Sequence, residues 1–164
     1  MKKVRAIAGL GVAAAVMLSA SPASAVDWEP GIIGFKNVHT GKCLSGSGRS
    51  VGQETCGLPV SGGSRSTDWY IAEDVNATKQ NQMIRNKSTG LCLDTNGTDV
   101  YLSGCNSSDD GQLWGFNNCE GALGHGDRLL TGWNSGGVNL PVRGTVDNVD
   151  KSLWHLTTGA GCGG

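Results

Sequence analysis

Two stretches of this chain repeat each other, and the repetition limits what it can fold into more than any other feature. Residues 84–94 read Ile84-Arg85-Asn86-Lys87-Ser88-Thr89-Gly90-Leu91-Cys92-Leu93-Asp94. Upstream stands Phe35-Lys36-Asn37-Val38-His39-Thr40-Gly41-Lys42-Cys43-Leu44, with an apolar residue, a base, Asn, Thr-Gly and Cys-Leu at the same offsets. The spacing continues: Cys43 to Cys56 and Cys92 to Cys105 are both thirteen positions, and Trp69, Trp114 and Trp154 fall 45 and 40 apart. A period of that length predicts repeated units, each too small to bury its apolar face alone, sharing one core. Three units fit, at about 32–74, 82–116 and 120–157.

Residues 1–25 read as an export signal: Lys2, Lys3 and Arg5, an apolar run from Ala6 to Leu18, and a small-residue cleavage site Ala23-Ser24-Ala25. The run is shorter than the roughly 20 residues a membrane span needs. Its removal leaves 139 residues, one domain's worth, and takes three of the thirteen Lys+Arg, so ten face fourteen Asp+Glu. A net charge of about −4 without a basic run argues against nucleic acid and membrane as partners. The expectation is a soluble, secreted, extracellular protein. Six cysteines in an oxidising compartment allow fifteen pairings. The equal spacing favours Cys43 with Cys56 and Cys92 with Cys105, which leaves Cys119 and Cys162 to bracket the third unit. No CxxC or His-rich spacing supports a metal site, and no cofactor is expected.

Residues 26–31, with Trp28, form a short lead-in. Gly46-Ser47-Gly48 and the 60–64 cluster cut the first unit into short strands, no window shows a sustained apolar period of 3.6, and the 27 glycines are spread over many turns. The class is all-β. After a polar linker at 75–81, Val100 and Leu102 alternate with Tyr101 and Ser103, placing one pair inward and the other outward, and Asn96-Gly97 signals a hairpin turn. The third unit has drifted, with Leu129-Leu130-Thr131 where the second has Cys92-Leu93-Asp94, and Ser152-Leu153-Trp154 at its close. Asn76, Asn86, Asn96 and Asn106 each open an Asn-x-Ser/Thr triplet; they read as turn residues, with glycosylation as the alternative.

Three units with Cys-Leu-Asp or a relic near the start and Gln-x-Trp or a relic near the end resemble the ricin B-type lectins, in particular small secreted single-domain members of bacterial type. The resemblance covers about residues 32–157 and is strongest in the second unit. It implies a β-trefoil, in which six strands form a short barrel, three hairpins cap it, and three similar units surround a pseudo-threefold axis. It also implies that Trp69, Trp114 and Trp154, with Leu44, Leu93 and Leu130, build the core in repeated layers.

In sugar-binding units of that family the pocket uses the Asp of Cys-Leu-Asp, an aromatic residue on the alternating strand, and polar residues at and before the Gln of Gln-x-Trp. The chemistry is intelligible by itself: a carboxylate accepts from two neighbouring hydroxyls, a ring covers the C–H face of the sugar, and amides supply further bonds. Asp94 and Gln112 match. Ser103 replaces the aromatic residue and Gly111 the preceding Asn, so the ring of Tyr101, two residues earlier, is expected to take over the stacking. The first unit has Ser45, Glu54 and Thr67 at the three positions, and the third Thr131, Pro141 and Ser152, so neither fits a sugar in the usual way.

The expected function is a secreted, non-catalytic carbohydrate-binding module with one site, Asp94, Tyr101 and Gln112, for a glycan or polysaccharide. The alternative is a secreted protein-binding module, a protease inhibitor or a subunit of an extracellular complex, using the Trp28 lead-in and the loop around Trp133. An enzyme is not expected, because His39, His125 and His155 have no neighbouring Ser or Cys motif and every cysteine has a structural partner.

Overall fold

Short glycine-punctuated segments can hold only short strands, and among the described residues there are thirteen, of two to five residues each. A computed structural model describes residues 31–57, 64–72, 82–117 and 120–157. The first unit contributes β1 (Phe35–Asn37), β2 (Cys43–Ser47), β3 (Ser50–Glu54) and β4 (Trp69–Ala72). The second contributes β5 (Met83–Asn86), β6 (Cys92–Thr95), β7 (Val100–Ser103) and β8 (Gly115–Asn117). The third contributes β9 (Ala122–His125), β10 (Arg128–Leu129), β11 (Thr131–Gly132), β12 (Val138–Asn139) and β13 (Trp154–Leu156). The helical content among the described residues is two single 3-10 turns, Asp110–Gln112 and Val149–Ser152.

The pairing repeats from unit to unit. Each last strand runs antiparallel to the first strand of the next unit, β4 with β5 and β8 with β9, and β13 returns to β1 with Phe35 opposite Leu156. Three isolated bridges, Ile33 to Trp69, Gln82 to Trp114 and Ala122 to Leu153, join the two ends of each unit. These six strands close the barrel, while the hairpins β2–β3, β6–β7 and β11–β12 cap it. The result is a β-trefoil.

Its core is built in threes. Trp69, Trp114 and Trp154 are fully buried, and their indole N–H groups donate to the carbonyls of Leu44 (3.0 Å), Leu93 (2.9 Å) and Leu130 (2.8 Å). Phe35, Ile84 and Leu123 form another buried layer, all within one cluster. A buried indole contributes several kcal/mol by area alone, and its N–H is satisfied here, so these tryptophans are structural. Disulfides join Cys43 to Cys56 and Cys92 to Cys105 as the spacing predicts. The predicted Cys119–Cys162 pair, the 1–25 export signal, the Trp28 lead-in and the 75–81 linker fall outside the described residues.

Two departures from the repeat were not legible in the sequence. Asn37 and Asn86 each brace the turn that follows, Oδ1 accepting from Thr40 or Thr89 N at 3.0 Å, while Nδ2 reaches across to the neighbouring unit's carbonyls at Leu153 or Asp68. In the third unit His125 fills this place: its Nδ1 lies 3.0 Å from Leu113 O, its ring meets Trp114 edge-on, and the following turn is two residues shorter. In the first unit Gln53, opposite Leu44, stands where Leu102 faces Leu93. Its buried amide donates to the carbonyls of Trp133 (3.1 Å) and Gly137 (2.8 Å) and accepts from Thr40 Oγ1 (2.6 Å).

Candidate functional site

Antiparallel pairing of β6 with β7 sets Asp94 opposite Tyr101 and Cys92 opposite Ser103, and the 3-10 turn Asp110–Gln112 then brings Gln112 over the same face. Three side chains lock together there. Ser103 Oγ donates to Asp94 Oδ2 at 2.5 Å, and Gln112 Nε2 donates to Ser103 Oγ at 2.7 Å and to Gly104 O at 2.9 Å, with Asp94 Oδ2 at 3.5 Å. Gln112 Oε1 in turn accepts from Asn106 N at 2.9 Å. Asp94 is 3% exposed and Gln112 1%, whereas Tyr101 and Ser103 are half-buried at the rim. Thus the structure brings the three sequence-predicted residues together, and adds Ser103, whose hydroxyl takes hold of the carboxylate.

The cluster is electronegative. Burial, then the charges of Asp94 and Asp109, a hydrogen bond with Asp94 and the charge of Asp99 push the Tyr101 phenol above its ordinary pKa. Tyr101 therefore stays a neutral ring and donor throughout the physiological range.

Asp94 is not spent on the hairpin turn. That turn is closed by Thr95 Oγ1, which accepts from Gly97 N at 2.9 Å, and by Asn96 Oδ1, which accepts from Thr98 and Asp99 N at 3.0 and 2.8 Å. Asn96 and Asn106 are exposed, Asn86 is fully buried with its amide engaged, and Asn76 lies outside the described residues. At 111 a side chain has no room: a Cβ would lie 2.3 Å from Thr95 O and 2.6 Å from Asp94 Oδ1. Glycine there is what lets the 3-10 turn press against the carboxylate.

The equivalent places in the other units are occupied by their own side chains, buried in the third unit and exposed in the first. Thr131 Oγ1 and Ser152 Oγ bond to each other at 3.0 Å, both essentially inaccessible, and in the first unit Glu54 Oε2 accepts from Ser66 Oγ at 2.6 Å. A concavity of about 560 Å³ opens beside the third unit's sealed floor, lined by His39, Trp133, Asn134, Ser135, Asp147, Asn148 and Lys151. In the loop around Trp133, Asn134 and Ser135 are exposed, while Trp133 itself is half-buried with Lys151 Nζ 4.4 Å from its ring centroid. Among the described residues, no group of three or more His, Cys, Asp or Glu could hold a metal ion, and no helix is long and apolar enough to cross a membrane.

The family model of the ricin-type β-trefoil lectin domain matches residues 32–130. No curated protein matches the chain. Among solved structures, the cytolethal distending toxin of Haemophilus ducreyi is similar at 13% identity and a TM-score of 0.60, over 76% of this chain and 81% of that one. A designed threefold-symmetric protein, ThreeFoil, is similar at 21% identity and a TM-score of 0.55, over 76% of this chain and 96% of its own. A GlcNAcα1-4Gal-releasing endo-β-galactosidase from Clostridium perfringens is similar at 14% identity and a TM-score of 0.58, over 78% of this chain but 32% of the enzyme. At such identities the likeness is one of fold.

Proposed function

The chain belongs to the ricin-type β-trefoil lectin domain family, and from that premise we propose that it is a secreted, non-catalytic carbohydrate-binding module whose sugar site is the second unit's Asp94, Tyr101 and Gln112. The observation that carries the reading is the lock of Ser103 and Gln112 onto Asp94 Oδ2. It fixes a carboxylate in one orientation under the rim residue Tyr101, and a preoriented acceptor loses little side-chain freedom when it takes a hydroxyl pair. Asp99 and Asp109 add negative charge around the ring, which disfavours acidic sugars, so the ligand is a neutral glycan or polysaccharide.

One such site gives an affinity near millimolar, about −4 kcal/mol, of which each hydrogen bond contributes roughly 1 kcal/mol. The test is a glycan array followed by heteronuclear NMR titration with neutral sugars. Binding should perturb the signals of Asp94, Tyr101 and Gln112, and Asp94→Ala should remove those perturbations. Signals of the second unit that stay put while sugar binds elsewhere, or that respond equally in Asp94→Ala, would overturn this site.

The 3% exposure of Asp94 favours one other reading, a secreted protein-binding module on a trefoil that has lost sugar binding. It takes over if no glycan binds the unmutated chain anywhere and a secreted protein is retained by it.

A further inference from the structure

We propose that His125 is a positioning residue for the second unit's site: reaching in from the third unit, it holds the turn that carries Gln112, and holds it harder when protonated, so that a neutral sugar binds more tightly in mild acid. The effect on sugar rests on the carbohydrate-binding reading above, whereas the hold on Gln112 does not.

The turn has little of its own to keep it in place. Asp110–Gln112 is a single 3-10 turn, closed by Gln112 N donating to Asp109 O at 3.1 Å and Leu113 N donating to Asp110 O at 3.0 Å. A segment so short keeps one geometry only if other elements brace it. His125, on β9, grips it on both sides of Gln112. Its Nδ1 lies 3.0 Å from Leu113 O, its Nε2 lies 3.7 Å from Asp110 Oδ2, and its ring meets that of Trp114 edge-on with centroids 6.0 Å apart. Between these contacts Gln112 sends its Nε2 to Ser103 Oγ and Gly104 O, beside Asp94.

In each unit one such side chain secures the carbonyl just before the barrel tryptophan. Asn37 reaches Leu153 O at 3.3 Å, Asn86 reaches Asp68 O at 3.4 Å, and His125 reaches Leu113 O. Two of the three are amides that never titrate. The titratable one stands against the unit that keeps the carboxylate and the glutamine. Because a carbonyl only accepts, Nδ1 carries the proton of the neutral ring, and Nε2 turns a lone pair toward the Asp110 carboxylate. Protonation replaces that lone pair by an N–H and a positive charge, which adds an attraction to Asp110. Histidine is the side chain that ordinarily makes this change between about pH 5 and 8. The other charged groups next to it are Arg128, its partner across β9–β10, whose Nη1 donates to Leu140 O at 2.9 Å, and Asp127 in the turn between those strands. Neither belongs to the turn that carries Gln112.

The experiment follows NMR signals of the full chain from pH 5 to 8, first without sugar. The Gln112 side-chain N–H signals should move with the same midpoint as the His125 ring signals. In Asp110→Asn the ring should still titrate while Gln112 no longer follows it. Gln112 signals that ignore the ring, or that follow it equally in Asp110→Asn, overturn the proposal whatever sugar does. The neutral sugar that binds the unmutated chain is then titrated at both ends of the range. Its affinity should be about two- to fivefold higher at pH 5, the range of an exposed ion pair. His125→Asn restores the amide of the other units, so it should bind without pH dependence, at the strength the unmutated chain shows at pH 8, and His125→Ala should bind more weakly still. A pH dependence that survives in His125→Asn, or a flat affinity in the unmutated chain, also overturns the proposal. If Gln112 follows His125 but no sugar perturbs the second unit, the Asp94 reading fails and the positioning role stands.

Discussion

Tyr101 is where the second unit's chemistry can be measured without any ligand. Its ring faces Asp94 across the hairpin, and burial followed by that carboxylate's charge keeps the phenol protonated beyond its ordinary pKa of about 10. The folded value lies above the unfolded one. The stability tied to this group is therefore fully present below about pH 10 and is lost as pH rises through the raised folded value. Spectrophotometric titration of tyrosinate absorbance, with Tyr70→Phe removing the other tyrosine, should show Tyr101 ionising late. Asp94→Asn should bring the transition down part of the way, because one negative charge goes and burial stays. An unmoved transition would mean that the carboxylate and the phenol do not face each other, and the proposed sugar site would lose its geometry with them.

Hairpins and turns are what tie one unit to the next, and Asn86 is the clearest single tie. Its Oδ1 accepts from Thr89 N and Thr89 Oγ1 at 3.0 and 3.2 Å, and its Nδ2 donates to Ser66 O at 2.6 Å, all from a fully buried position. Truncating it leaves buried groups unpaired, so Asn86→Ala should cost about 2–3 kcal/mol in urea denaturation with an unchanged slope. A loss under about 0.5 kcal/mol would show that the tie is dispensable. Such features were legible unevenly. Asn37, Asn86 and the Cys-Leu pairs lie at equal offsets, the three tryptophans recur at 45 and 40 positions, and the alternation Val100-Tyr101-Leu102-Ser103 put Tyr101 on the face of Asp94. His125 was not legible as their third counterpart, because the turn after it is two residues shorter and breaks the offset. Gln53 was hidden too: a buried glutamine reads as surface until the carbonyls of Trp133 and Gly137, some 80 residues away, are seen to receive its amide. Ser103 and the cleft at Trp133 escaped for the same reason, since both depend on partners supplied by other loops.

At the scale of the molecule, closure decides whether any of these parts persist. β1 finds its barrel partner in β13, with Asn37 opposite Trp154, so the first unit is finished by the last of the described strands. The third unit also supplies carbonyl partners for buried polar groups of the first, Lys151 O at 2.8 Å for Asn37 Nδ2 and the two acceptors of Gln53. Each such group left buried and unpaired costs about 1–3 kcal/mol, against a total stability of roughly 5–15 kcal/mol for a domain. Loss of Leu123, Leu130, Leu140 and Trp154, all buried, removes hydrophobic stabilisation of the same order. A chain ending at residue 117 keeps both described disulfides and the whole Asp94 cluster, yet should show no cooperative thermal transition and should bind a hydrophobic dye. Near-UV circular dichroism with a single sharp transition in that fragment would mean that two units suffice. The three-part dependence on one shared core, from which the site in the second unit takes its rigidity, would then be wrong.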